Sequence, residues 1–334
     1  VNDITLAGLL TQRRGTENRR SGLLHDLGDG ANAFVTISDM SSLLGRGSMS
    51  GDQQSGIFEA LRDIYDGHFK RQMEGVSPEW HGRITFLAAV TPAIDHMKNH
   101  AEALGPRWVY FRLRQLDPAM RKVVAHSVTG RSNITQHRAE VADAVAEVVR
   151  DARAVLATGV NLSFETTDLI EDAAILATYG RATVPRDYRG QIDGEPHWEE
   201  PGRLTHQLMK LARALTALGV GETAVRRVVA RAATSSMPAP RLRVLTELSA
   251  LPDDERISTN ALAASAGMNR GVARRALEDW EATTVVDQQI RSRPGDTLTG
   301  EDEWEGKDTR PRDWQLADDQ AELVRRVLGA VPTT

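Results

Sequence analysis

Hydrophobic positions along the chain change period twice. In the first stretch, short runs rich in β-branched and aromatic residues alternate with segments of helical spacing. NAFVTISDM carries Phe34, Val35 and Ile37 and predicts a buried strand at 33–38. SGIFEALRDIYD repeats Ile57, Leu61 and Ile64 and predicts a helix at 55–66. ITFLAAV predicts a strand at 84–90 and RWVYFRL another at 107–113, with a helix opening at Pro92 between them. Strand, helix, strand, helix, strand is the order of a parallel sheet with covering helices.

From about residue 136 the period becomes that of helices alone. Residues 138–157 form an Ala/Val-rich amphipathic segment, and 166–180 another that starts at Thr166 and Thr167. The Pro-, Gly- and charge-rich stretch 184–202 reads as loop. Helices follow at 203–218, with Leu204, Leu208, Leu211 and Leu215 on one stripe, and at 222–233. SSMPAP (235–240) reads as a linker. Beyond it come three short helical patterns at 241–251, 258–266 and 269–282, then a strand at 283–290 with a partner near 310–315. The expected organisation is 1–135 as a partial α/β core with a parallel sheet, 136–235 as an all-α lid, and 241–334 as a C-terminal module with an acidic tail.

Composition narrows the function classes. The 334 residues include no cysteine, so disulfides and thiolate metal sites are excluded. No run of about 18 apolar residues is present, and a soluble cytoplasmic protein without a membrane partner is expected. The net charge of −5 hides an asymmetry. Arg203–Arg275 holds twelve Arg/Lys against five Asp/Glu, whereas Ala276–Thr334 holds seven against fourteen. A basic stretch beside an acidic one is compatible with a nucleic-acid surface.

The C-terminal module supplies the first candidate site. A helix ends near Gly267, Asn269 is suited to cap the next helix, and a β-hairpin follows. This order reads as a winged helix-turn-helix. The pattern puts Val272, Ala276 and Trp280 on one face of the second helix and turns Arg270, Arg274 and Arg275 outwards, where they can reach DNA phosphates or guanine edges. A packing module with solvated arginines is the competing reading. The α/β part supplies the second. Asp39 ends the first strand and Thr91 ends ITFLAAV. In parallel α/β sheets ligands sit beyond the carboxyl ends of strands, where an acid can hold Mg²⁺ and a hydroxyl can sense a γ-phosphate. The phosphate cradle G-x-x-x-x-G-K-[ST] is absent from the chain. His96 and His100 are spaced i, i+4, but without an H-E-x-x-H pattern they read as a solvated helix face.

The runs ISDMSSLL, LRDIYDGHF, WHGRITFLAAVTPAID and LGPRWVYFRL, in that order, resemble the ATPase core of phage- and mobile-element-associated helicase-like proteins of the AAA+ superfamily. TYGRATVPRDYRG and EEPGRLTHQLMKLARAL resemble the helical lid of the same proteins, so the likeness extends to about residue 235. It implies an AAA+-like core, ATP and Mg²⁺ as cofactors, DNA as partner and a homo-oligomer. It implies Asp39 as the Walker B acid and metal ligand, and Thr91 as sensor 1. Arg107 would reach a neighbour's nucleotide, and Arg203 would be the lid's sensor 2. The pattern departs at Met40, where many such proteins carry a glutamate, and the phosphate loop would precede Val1. The expectation is therefore an ATPase subunit or fragment of a DNA helicase or replication-type motor, inactive without that loop. The alternatives are a non-catalytic DNA-binding regulator with a degenerate core, or a protein-interaction module.

Overall fold

The structure, a computed structural model, describes residues 22–40, 51–70, 79–91, 108–113, 134–290 and 311–331. The chain is mixed α/β and divides into two compact units, Val1–Trp108 and Val109–Thr334.

In the first unit a short helix, α1 (Leu23–Leu27), leads into β1 (Ala31–Ile37), α2 (Gly51–Tyr65), β2 (His68–Lys70) and β3 (Glu79–Ala88). β1 and β3 pair in parallel, from Ala31 opposite Gly82 to Ile37 opposite Ala88. β2 lies antiparallel on the other side of β3. α2 lies in the crossover that a parallel pair requires. Val35, Ile37 and Ile84 are buried in one cluster with Ile57, Leu61 and Ile64 of α2. The run at 33–38 was expected to be buried throughout, yet it alternates. Phe34 is 63% exposed, as Leu87 of β3 is at 60%, so apolar side chains on the sheet's second face stand open to solvent. Trp80 donates its indole N–H to the Gly28 carbonyl at 2.7 Å. A Cβ on Gly82 would fall 2.4 Å from the Trp80 ring and 2.6 Å from the Ala31 carbonyl oxygen, so only glycine lets β1 and that ring close on β3.

The second unit runs through α3 (Ile134–Thr158), α4 (Phe164–Arg181), α5 (Gly202–Ala217), α6 (Glu222–Ser235) and α7 (Ala239–Ser249). It continues through β4 (Ile257–Ser258), α8 (Thr259–Ser265), α9 (Arg270–Ala282), β5 (Val286–Ile290), β6 (Arg312–Leu316) and α10 (Ala321–Gly329). The three strands form an antiparallel sheet of order β4-β6-β5. One hydrophobic cluster holds Ile170 of α4, Leu208 of α5, Val229 of α6, Val244 of α7, Trp280 of α9, Trp314 of β6 and Val327 of α10. The stretches 136–235 and 241–334 thus share a core. SSMPAP is no exposed tether within it. Ser235 closes α6, Pro238 caps α7, and Met237 between them is fully buried. Met237 packs so tightly on α4 that a Cβ at Gly180 would meet its Cγ at 2.7 Å. α3 is the least embedded helix. Among its described side chains only Ala152 is buried, while Val141, Val145 and Val148 are each more than half exposed.

Two features depart from the sequence reading. Residues 108–113, expected to lie in a third parallel strand, join no ladder. Arg112 instead donates its main-chain N–H to Ser235 Oγ and its guanidinium to the carbonyls of Ser235 and Met237, at 3.0–3.2 Å. Arg231 of α6 returns a bond to the Arg112 carbonyl at 2.7 Å and lies over the Phe111 ring. Side chains thereby satisfy backbone groups that a strand would offer to a sheet. The cation of Arg112 also sits where a helix end favours positive charge. The second departure is α10, which the sequence reading did not anticipate. Its Val324, Val327 and Leu328 are buried in the shared core, and Arg326 forms ion pairs with Asp168 and Asp172 of α4.

Candidate functional site

Asp39 follows β1 by two residues, and Thr91 follows β3 by three. Because the two strands are hydrogen-bonded neighbours in parallel register, both residues lie at the same carboxyl edge. The ladder continues past the strands: Ala89 donates to the Ile37 carbonyl at 3.0 Å and Met40 donates to the Ala89 carbonyl at 2.8 Å. Met40 is buried, whereas Asp39 and Thr91 are exposed. The hydrophobic residue after Asp39 thus anchors the turn and leaves the carboxylate at the rim.

Mg²⁺ is commonly held by one or two carboxylates together with substrate phosphates, not by an all-protein cage. Asp39 is a carboxylate and Thr91 a hydroxyl at the same edge, and these are the side chains that would meet a Mg²⁺ and a phosphate bound there. Among the described residues no group of three or more His, Cys, Asp or Glu is arranged to hold a metal by itself. His96, His100 and Arg107 lie outside the described residues.

The second cluster is built on α9. Asn269 caps it as expected, its Oδ1 accepting from the Gly271 N–H at 2.8 Å. The buried face comprises Ala273, Ala276, Leu277 and Trp280. Val272, expected on that face, is 43% exposed, which rotates the buried stripe by one position. Arg270, Arg274 and Arg275 are exposed, as the pattern predicts. Arg274 pairs with Glu278 one turn on, at 3.4 Å.

Beneath the arginines lies an ion network that sequence reasoning missed. Asp279 accepts from Arg186 at 2.7 Å and from Arg241 at 2.9 and 3.1 Å. Arg241, itself buried, also donates to the carbonyls of Gly180 and Ala182 at the end of α4, at 2.9 and 2.7 Å. Arg186 makes a second pair with Glu278 at 3.1 Å and donates to the Arg275 carbonyl at 3.3 Å. Burial disfavours the Arg186 charge, but hydrogen bonding and proximity to Asp279 and Glu278 prevail and raise its pKa above the ordinary range. The network fixes α9 against α4, α7 and the loop 182–201. Its members are far apart in sequence and belong to no local motif, so their assembly carried no sequence signal.

Arg203 is exposed in the first turn of α5, and among the described residues it makes no ion pair. Among the described residues no helix is long and apolar enough to cross a membrane. No protein-family model matches the chain, and no curated protein matches it in sequence.

Proposed function

We propose that the chain acts on DNA as an AAA+ helicase-like ATPase subunit, with a winged helix-turn-helix as its DNA-contacting module. The observation that carries the nucleotide half is the parallel register of β1 and β3, which brings Asp39 and Thr91 to one edge. In this reading Asp39 holds Mg²⁺, Thr91 faces the γ-phosphate, and Arg203 contacts nucleotide from the lid. Arg107 reaches the nucleotide of a second copy, so self-association belongs to the same proposal. The chain contains no G-x-x-x-x-G-K-[ST], and the proposal therefore assigns it the metal- and γ-phosphate-facing groups, not the phosphate cradle.

The DNA half rests on the order α7, β4, α8, α9, β5, β6 and on the antiparallel sheet β4-β6-β5. That order supports the winged-helix reading, in which α9 would take the recognition position. Arg270, Arg274 and Arg275 on its open face supply phosphate or guanine contacts.

Duplex affinity measured with and without Mg²⁺ and ATP tests the whole reading. The expected result is DNA binding that weakens steeply with salt, responds to Mg·ATP only at high nucleotide concentration because the cradle is absent, and loses that response in Asp39→Asn. DNA binding indifferent to nucleotide in both proteins would support the second reading, a non-catalytic DNA-binding regulator. No DNA binding by a folded chain would leave a protein-interaction module.

A further inference from the structure

The loop between α4 and α5 presents a rigid tip beside α9. Its arms pair at Thr183 with His197 and at Arg186 with Ile192. The tip is a turn at Asp187–Gly190, closed by the Gly190 N–H donating to the Asp187 carbonyl at 2.9 Å. The Asp187 carboxylate accepts from the N–H groups of Arg189 and Gln191, both at 2.8 Å, so that acid is committed to the turn. Gly190 has φ +81°, which a side chain would strain. Arg186 fastens the base of the tip. One guanidinium donates to the Gly190 carbonyl at 2.7 Å and to Glu278, Asp279 and the Arg275 carbonyl of α9.

The turn holds out two side chains. Tyr188 is 88% exposed, and Arg189 is exposed beside it. The Arg189 guanidinium lies 5.1 Å from the Tyr188 ring centroid, and its Nε donates to the phenol oxygen at 2.8 Å. Arg275 of α9 reaches the same turn: a Cβ on Gly190 would lie 3.6 Å from its Nη2. A cation-backed aromatic ring, held out at such exposure on a pinned turn beside Arg275 of α9, is the equipment for stacking a base and gripping its phosphate. Paired bases inside a duplex offer no free face to such a ring. An unpaired base does.

We infer that Tyr188 and Arg189 form a contact site for unpaired nucleotides adjoining the duplex held by α9. The inference rests on the proposed DNA-contacting role of α9. Tyr188 stacks on a base, and Arg189 and Arg275 take the flanking phosphates.

The test compares the full chain's affinity for a blunt duplex and for the same duplex carrying a short single-stranded tail. Wild type is expected to prefer the tailed DNA by roughly tenfold, within the range of one base–aromatic stack. Tyr188→Ala removes the preference and leaves blunt-duplex affinity unchanged, Tyr188→Phe retains it, and Arg189→Ala lowers the salt dependence on tailed DNA by about one phosphate contact. Urea midpoints equal to wild type establish that the variants are folded. Equal wild-type affinity for both DNAs, or a preference that survives Tyr188→Ala, overturns this inference and leaves α9 as a duplex reader. If wild type binds neither DNA, the role of α9 and this inference fall together.

Discussion

Replacing Asp279 by Asn probes the joint that sets α9 against the rest of its unit. Asp279 is 9% exposed and Arg241 is 8% exposed, so solvent screens their pairing little. The substitution keeps the shape and one oxygen acceptor but removes the charge that faces both Arg186 and Arg241. Breaking a buried pair from one side costs about 3–5 kcal/mol, because the remaining charge stays desolvated. Two features reduce that figure. Arg241 keeps its bonds to the Gly180 and Ala182 carbonyls, and Arg186 keeps Glu278. A loss of about 2–4 kcal/mol is therefore expected. At roughly 2–4 °C per kcal/mol for a unit of this size, the melting temperature falls by about 4–16 °C. Urea denaturation followed by circular dichroism measures the loss, with Arg274→Ala as an exposed control expected within about 0.5 kcal/mol of wild type. A double-mutant cycle with Arg241→Met then isolates the coupling, expected above about 1 kcal/mol. An Asp279→Asn protein as stable as the control, or a strictly additive cycle, would refute the reasoning that this network holds α9 in place.

Three other outcomes follow from local geometry. Gly82→Ala places a methyl group against the Trp80 ring and the Ala31 carbonyl and is expected to cost about 1–3 kcal/mol, read as a lower unfolding midpoint of the first unit. Asn269→Ala removes the α9 cap and is expected to cost about 1 kcal/mol, with faster amide exchange confined to the first turn of that helix. Burial raises the Glu281 carboxyl above its ordinary range, while Arg312 draws it down and Glu278 pushes it further up. A raised folded-state pKa means that the native state binds the proton more tightly, so wild-type stability falls as pH rises between the ordinary and raised values. Glu281→Gln lacks that slope, and its stability relative to wild type is expected to increase with pH across denaturation curves from mildly acidic to neutral conditions.

Periodicity served best where one element carries its own signal. Asn269 before an Arg-bearing helix marked the start of α9 to the residue. The strands ending near Asp39 and Thr91 were legible because Val35, Ile37 and Ile84 are β-branched and bounded by polar residues. Sequence failed where partners are distant. RWVYFRL has the composition of a strand, yet Arg112 finds the carbonyls at the end of α6, some 120 residues away, and those bonds replace a ladder. Val324, Val327 and Leu328 do carry helical spacing, so α10 was readable, but the acidic stretch before it drew attention to a tail. The Tyr188 tip had no readable signal. Its meaning depends on Arg186 reaching Glu278 and Asp279, a relation that only the fold supplies.

The central claim is that Asp39 and Thr91 face one Mg·nucleotide. Paramagnetic broadening by Mn²⁺, substituted for Mg²⁺ in the presence of ATP, tests it most directly in backbone NMR spectra of the full chain. The account predicts selective loss of amide signals around residues 38–40 and 89–91, with recovery of those signals in Asp39→Asn. Broadening centred elsewhere, or an identical pattern in the Asn variant, would contradict it.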